Sequence, residues 1–131
     1  MPVAQPILYY VDEHIPALEI RRILRDHIVE FPDLGTKDPA ILEAAEQADA
    51  IILKSDRWFY NQLRREPYAD KSRGKFVNAG MVLLAGEWAI ARRQVTTWLP
   101  LIESVIEIQR QKDDSRVVIR FKDDAMICID Q

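Results

Sequence analysis

Ala50-Ile51-Ile52-Leu53 is an unbroken apolar run, with no polar side to offer to water. A strand with one wet face alternates apolar and polar residues. An uninterrupted run belongs in a sheet covered on both faces, which is the usual state of parallel sheets. Ile7-Leu8-Tyr9-Tyr10-Val11 and Met81-Val82-Leu83-Leu84 have the same character. Parallel neighbours need long crossovers, normally helices, and the stretches between these runs carry apolar residues at helical spacing.

The first helix starts near Pro16, a residue suited to a first turn, and places Ala17, Ile20, Ile23 and Leu24 on one side. Glu19, Arg21, Arg22 and Arg25 form its outer face. His27-Ile28-Val29-Glu30-Phe31 reads as a second strand, closed by Pro32 and Gly35. Asp38-Pro39 opens a second helix, acid at N-cap and proline at N1, with Ile41, Leu42 and Ala45 inward. After the strand at 50–53, Ser55-Asp56 begins a helical turn through Trp58, Phe59 and Leu63. A polar, basic connection over 64–78 follows, with Arg64, Arg65, Lys71, Arg73 and Lys75. Tyr68 and Phe76 add the aromatic component of a single-strand binder, although a solvated loop accounts for the same composition.

Met81–Leu84 is the fourth strand. A long helix over about 91–109 carries Val95, Trp98, Leu99, Ile102, Val105 and Ile106 on one stripe, and Pro100 inside it predicts a kink or restart near Thr97. Arg116–Phe121 and Ala125–Ile129, joined across Lys122-Asp123-Asp124, read as a hairpin. Strands alternating with helices give an α/β fold with a mainly parallel sheet and an antiparallel appendage.

The chain has 131 residues, which suits one domain spanning 1–131 with a core that needs no disulfide. Net charge is −3 and the pI about 5.4, so no global basic field draws in nucleic acid, and any such binding must be local. Cys128 is the single cysteine, which excludes an internal disulfide and a cysteine-based zinc cage. The N-terminal residues lack the features of a secretory leader, and the longest apolar stretch, Ala79–Ile90, contains Glu87 and is too short for a bilayer. A cytoplasmic protein without membrane contact is the expectation.

Chemistry concentrates where the strands end. Asp12 and Glu13 stop the first apolar run, and Asp38 and Asp56 sit at similar junctions downstream. Ligands of open α/β sheets bind beyond the carboxyl ends of strands. Hard cations such as Mg²⁺ and Mn²⁺ take oxygen ligands, often one or two carboxylates completed by water and phosphate. Two carboxylates at 4 Å repel by about 4 kcal/mol at an effective dielectric of 20, so a converged trio needs a cation, a shared proton or an arginine. Taken alone, Asp38 reads first as a helix cap, and Asp56 reads equally well as one. Asp12 has less of a capping role to fill. Glu13 falls on the opposite side from Asp12 and reads either as a supporting residue behind the site or as solvent-facing, and His14 reads as a surface or capping histidine. The four glycines are scattered and form no phosphate loop, and neither histidine lies in a nucleophile motif.

Three segments resemble a known set in order and spacing. They are Val11-Asp12-Glu13-His14-Ile15-Pro16, Asp38-Pro39-Ala40-Ile41-Leu42-Glu43-Ala44-Ala45 and Ile51-Ile52-Leu53-Lys54-Ser55-Asp56-Arg57-Trp58-Phe59. They look like the strand-end and helix-start motifs of small PIN-like proteins, the predicted nucleases of toxin–antitoxin systems. The likeness covers roughly residues 7 to 60 and is loose beyond. It implies a three-layer α/β/α sandwich with a mainly parallel central sheet and a C-terminal β-hairpin. It further implies that Asp12, Asp38 and Asp56 hold Mg²⁺ or Mn²⁺ for cleavage of RNA phosphodiesters. Two positions depart from the family pattern: Trp58 stands where a second aspartate is usual, and His14 where asparagine is. The resemblance thus gives two expectations. One is a metal-dependent ribonuclease, the toxin partner of an antitoxin protein. The other is a catalytically blunted PIN-like module that binds a protein or RNA. Trp88 and Trp98 read as core or interface anchors, and exposed aromatics with a free hairpin edge suggest a homodimer.

Overall fold

Strand β1 (Leu8–Val11) lies inside the sheet, with parallel neighbours on both sides. The computed structural model describes residues 6–31, 38–55, 80–111, 117–122 and 125–130. In chain order, β1 is followed by α1 (Ala17–Ile23), β2 (Ile28–Glu30), α2 (Asp38–Ala48), β3 (Ile51–Lys54), β4 (Gly80–Leu83), α3 (Trp88–Arg110), β5 (Val117–Lys122) and β6 (Ala125–Asp130). The sheet order is β2-β1-β3-β4-β5-β6. The first five strands are parallel, in registers such as Tyr9↔Val29, Val11↔Leu53, Leu53↔Val82 and Val82↔Ile119. β6 runs antiparallel to β5, with Ile119 opposite Cys128. A mainly parallel α/β fold is therefore what the apolar runs specify.

Apolar residues cluster on both sides of the strands, as period-2 alternation requires. Tyr9, Val11, Ile51, Leu53, Val82, Leu84 and Ile119 pack with Ile20 and Leu24 near α1 and with Val95, Ile102 and Ile106 of α3. Ile52, Met81, Leu83 and Val118 point the other way and meet Ala45 and Ile41 of α2, with Leu8 and Tyr10 alongside. Among the described residues no helix is long and apolar enough to cross a membrane.

The long helix differs from the sequence expectation at two places. It begins at Trp88, earlier than the apolar stripe indicates, and it continues through Pro100 without a restart. Proline cannot donate to the carbonyl four residues back, that of Thr96. Thr96 and Pro100 are both exposed, so water can serve that carbonyl, while the buried stripe of Val95, Ile102 and Ile106 holds the helix on course. The N-terminal end is fixed from outside: Trp88 Nε1 donates to Glu19 Oε2 at 2.8 Å, and Gln94, buried, accepts the Ala85 N–H at 2.9 Å.

Two residues of the outer face of α1 are therefore more than solvent-facing. Glu19 clips α1 to α3. Arg21 donates to the Val29 carbonyl at 3.2 Å and lies over the Phe31 ring at 5.2 Å. The Ile28 N–H bonds the Ile7 carbonyl, so Ile28 and Glu30 face β1 and the carbonyl of Val29 points to the open edge. Arg21 occupies that edge.

α2 ends in a tight reversal. Asp49 has φ 54°, and the Ala50 N–H reaches back to the Ala45 carbonyl at 2.8 Å, the six-to-one bond of a Schellman cap. This turn feeds the chain directly into β3. α2 itself starts at Asp38, making that residue the first of the helix. β5 extends through Lys122, which the sequence placed in the turn. The expected helical turn at 55–63, apart from Ser55, and the basic connection up to residue 79 lie outside the described residues.

Candidate functional site at the carboxyl ends of β1 and β3

From β1 the chain crosses to one side to make β2, then returns past β1 to make β3 on the other side. The carboxyl ends of β1 and β3 therefore border the point at which the strand order reverses, the place where ligands of open α/β sheets bind. Asp12 is the first residue beyond β1 and is buried there.

Its backbone is fixed on two sides. The Asp12 N–H donates to the Leu53 carbonyl at 2.9 Å, extending the β1–β3 ladder by one rung. Its carbonyl accepts the Ile15 N–H at 3.0 Å, closing a turn that delivers the chain to α1. The carboxylate is divided in its tasks. Oδ1 accepts the His14 N–H at 3.2 Å, an Asx-type turn, and lies 3.1 Å from His14 Nδ1. Oδ2 accepts a long hydrogen bond from the Ser55 hydroxyl at 3.4 Å. Lys54 Nζ stands 3.8 Å from Oδ1, the lysine and aspartate side chains being 13% and 4% exposed. The ring of His14 is 77% exposed and carries charge only when protonated.

Removing a carboxylate from water costs several kcal/mol unless hydrogen bonds and an opposite charge offset it. Asp12 has both, an amide and a hydroxyl as donors and an ammonium as counter-charge. The amide is that of His14; Lys54 and Ser55 supply the ammonium and the hydroxyl because β3 ends beside β1. The first of them closes the apolar run and the second follows it directly. The sequence signal for both was only their position at a strand end beside the better-marked Asp56.

Of the three acids that the sequence singled out, the structure places Asp12 in full. Asp38 opens α2, and its carboxylate is outside the described residues. Asp56 and Trp58 also lie outside them. Glu13 is exposed, which matches the solvent-facing one of its two readings. Among the described residues no three His, Cys, Asp or Glu side chains gather where they could hold a metal ion. What Asp12 and Ser55 do offer is a pair of hard oxygen atoms, the donor type that Mg²⁺ and Mn²⁺ prefer. The neighbouring ammonium is the group that a divalent ion would have to face. Comparison with protein-family models, with curated proteins and with solved structures finds no match.

Proposed function

We propose that this chain is a PIN-like, metal-dependent ribonuclease whose site is built around Asp12. Asp38 and Asp56 complete the acidic set for Mg²⁺ or Mn²⁺, on a three-layer α/β/α sandwich with a C-terminal hairpin. The observation that carries the reading is a buried carboxylate at the reversal of strand order, fixed by backbone bonds on both sides. RNA as substrate and an antitoxin protein as partner belong to the same proposal through the motif resemblance, and a homodimer and a cytoplasmic location are proposed alongside them.

A bound divalent cation would neutralise charge on the scissile phosphate and activate water as nucleophile. The residues of the chain supply the geometry. The turn amide of His14 holds Oδ1, so the carboxylate cannot rotate freely, and the Ser55 hydroxyl orients Oδ2. Lys54 is a point charge suited to a phosphate oxygen.

The second reading, a blunted module that binds RNA or a protein, is favoured by one observation: the carboxylate already has a cation beside it in Lys54. Incubation of a fluorescence-quenched RNA with chelator-stripped protein and added Mn²⁺ separates the two. Cleavage that Asp12→Asn and EDTA both abolish is the expected result. RNA binding without cleavage, unchanged by EDTA, would replace the nuclease with the binding module.

A further inference from the structure

The Lys54–Asp12 pair differs from an ordinary surface ion pair in how firmly it is held. Exposed pairs between flexible side chains contribute little, because water and salt screen them and the side chains wander. Here both partners are largely buried. The lysine backbone is anchored as the last residue of β3, in register with Leu83, and its carbonyl accepts the Leu84 N–H at 2.7 Å. The aspartate backbone is anchored to Leu53, the residue before Lys54. The β1–β3–β4 ladder fixes both backbones, so the pair can part only by rotation of the lysine side chain.

Among the described residues, Lys54 is also the one permanent cation within 4 Å of Asp12; His14 is the other basic side chain at that range, and it is exposed. Ser55 is neutral. We infer that the resident cation of the Asp12 site is the ammonium of Lys54, and that a divalent ion competes with it for the same carboxylate. The competition half rests on the metal-dependent reading given above; the residence half does not. A Mg²⁺ or Mn²⁺ ion bonded to either oxygen of Asp12 would sit within a few ångströms of a like charge at a poorly screened site. Metal entry therefore requires the lysine side chain to leave. An anionic substrate supplies a reason for it to do so, since a phosphate oxygen can take up the displaced ammonium. Lys54 is then a positioning residue that makes the affinity for metal depend on substrate.

Two measurements on the full chain test this. The first is calorimetric titration of chelator-stripped protein with Mn²⁺ for wild type, Lys54→Met, Asp12→Asn and the double variant. Methionine keeps the length of the lysine stem and removes its charge. The expected result is about tenfold tighter Mn²⁺ binding by K54M than by wild type, with the gain lost in the double variant. The second is a thermal-unfolding cycle over the same four proteins without metal. Residence predicts that D12N costs less in the K54M background than in the wild type. Equal Mn²⁺ affinity of wild type and K54M would overturn the proposal while leaving the metal-dependent reading intact. No Mn²⁺ binding by any variant, with coupling retained in the cycle, would remove the metal-dependent reading and leave Lys54 as the permanent cation of the site. Additive effects in the cycle would overturn residence itself.

Discussion

Nε2 of His27 is hydrogen-bonded to Oε1 of Glu103, tying the turn before β2 to the middle of α3. The other ring nitrogen, Nδ1, accepts the Ile7 N–H at 3.0 Å, which assigns the proton of the neutral ring to Nε2. The Tyr9 ring meets the imidazole edge-on, with centroids 5.7 Å apart. One side chain thus satisfies the entry to β1 and a carboxylate on α3 together.

His27→Ala removes both partners at once and leaves the Ile7 N–H and the Glu103 carboxylate without a histidine to meet them. A part-buried polar group stranded in this way costs about 1–3 kcal/mol, so the variant should lose about 2–3 kcal/mol of unfolding free energy. Urea denaturation at neutral pH reads this directly. A loss below about 0.5 kcal/mol would show that water replaces the histidine at both ends.

Arg21 holds the outward carbonyl of the edge strand β2, next to the half-exposed Ile28 side chain. Open sheet edges pair with other chains unless a charge or a covering element blocks them. Arg21→Ala should therefore raise concentration-dependent self-association, seen by light scattering or sedimentation, with little change in thermal midpoint. Wild-type behaviour of R21A across the soluble range would mean that β2 needs no such cover.

At Asp49 the left-handed backbone decides the ranking of two substitutions. Asp49→Gly and Asp49→Ala lose the same carboxylate, so their difference isolates the cost of a β-carbon at φ 54°. The glycine variant should be the more stable by about 1 kcal/mol. Equal stability would mean that the turn relaxes out of its Schellman geometry.

Gln94 is buried, and its Oε1 accepts the Ala85 N–H. Gln94→Leu keeps most of the volume and removes the acceptor, so it should cost about 1–3 kcal/mol through the stranded amide. Chemical denaturation of the pair checks it; a neutral or stabilising outcome would show that packing outweighs the hydrogen bond here.

Legibility in the sequence followed the range of the forces involved. β1, β3 and β4 announced themselves because burial on both faces leaves an apolar run, a local and periodic signal. α1 and the interior of α3 were legible for the same reason. Pro100 misled because proline is a local rule, and the exposed position that relieves it is a tertiary fact. Glu19 and Arg21 read as solvent-facing because a charged helix position looks the same whether it meets water, an indole N–H or a strand edge. His27 carried no signal at all, since Glu103 lies far along the chain. At the site, Asp12 was legible as an acid where an apolar run stops. Lys54 was not, because its meaning comes from β3 lying beside β1, a pairing that no local pattern encodes.

The place of β1 inside the sheet has a consequence in time. Asp12, Lys54 and Ser55 all leave the ribosome before the helix that shares a core cluster with β1 and β3, Trp88–Arg110. At about 5–20 residues per second, several seconds of synthesis separate the two. During that interval α1 alone, through Ile20 and Leu24, can cover the apolar face that Val95, Ile102 and Ile106 of α3 later share. A nascent chain at this stage therefore carries Asp12 beside apolar surface that α3 has yet to cover.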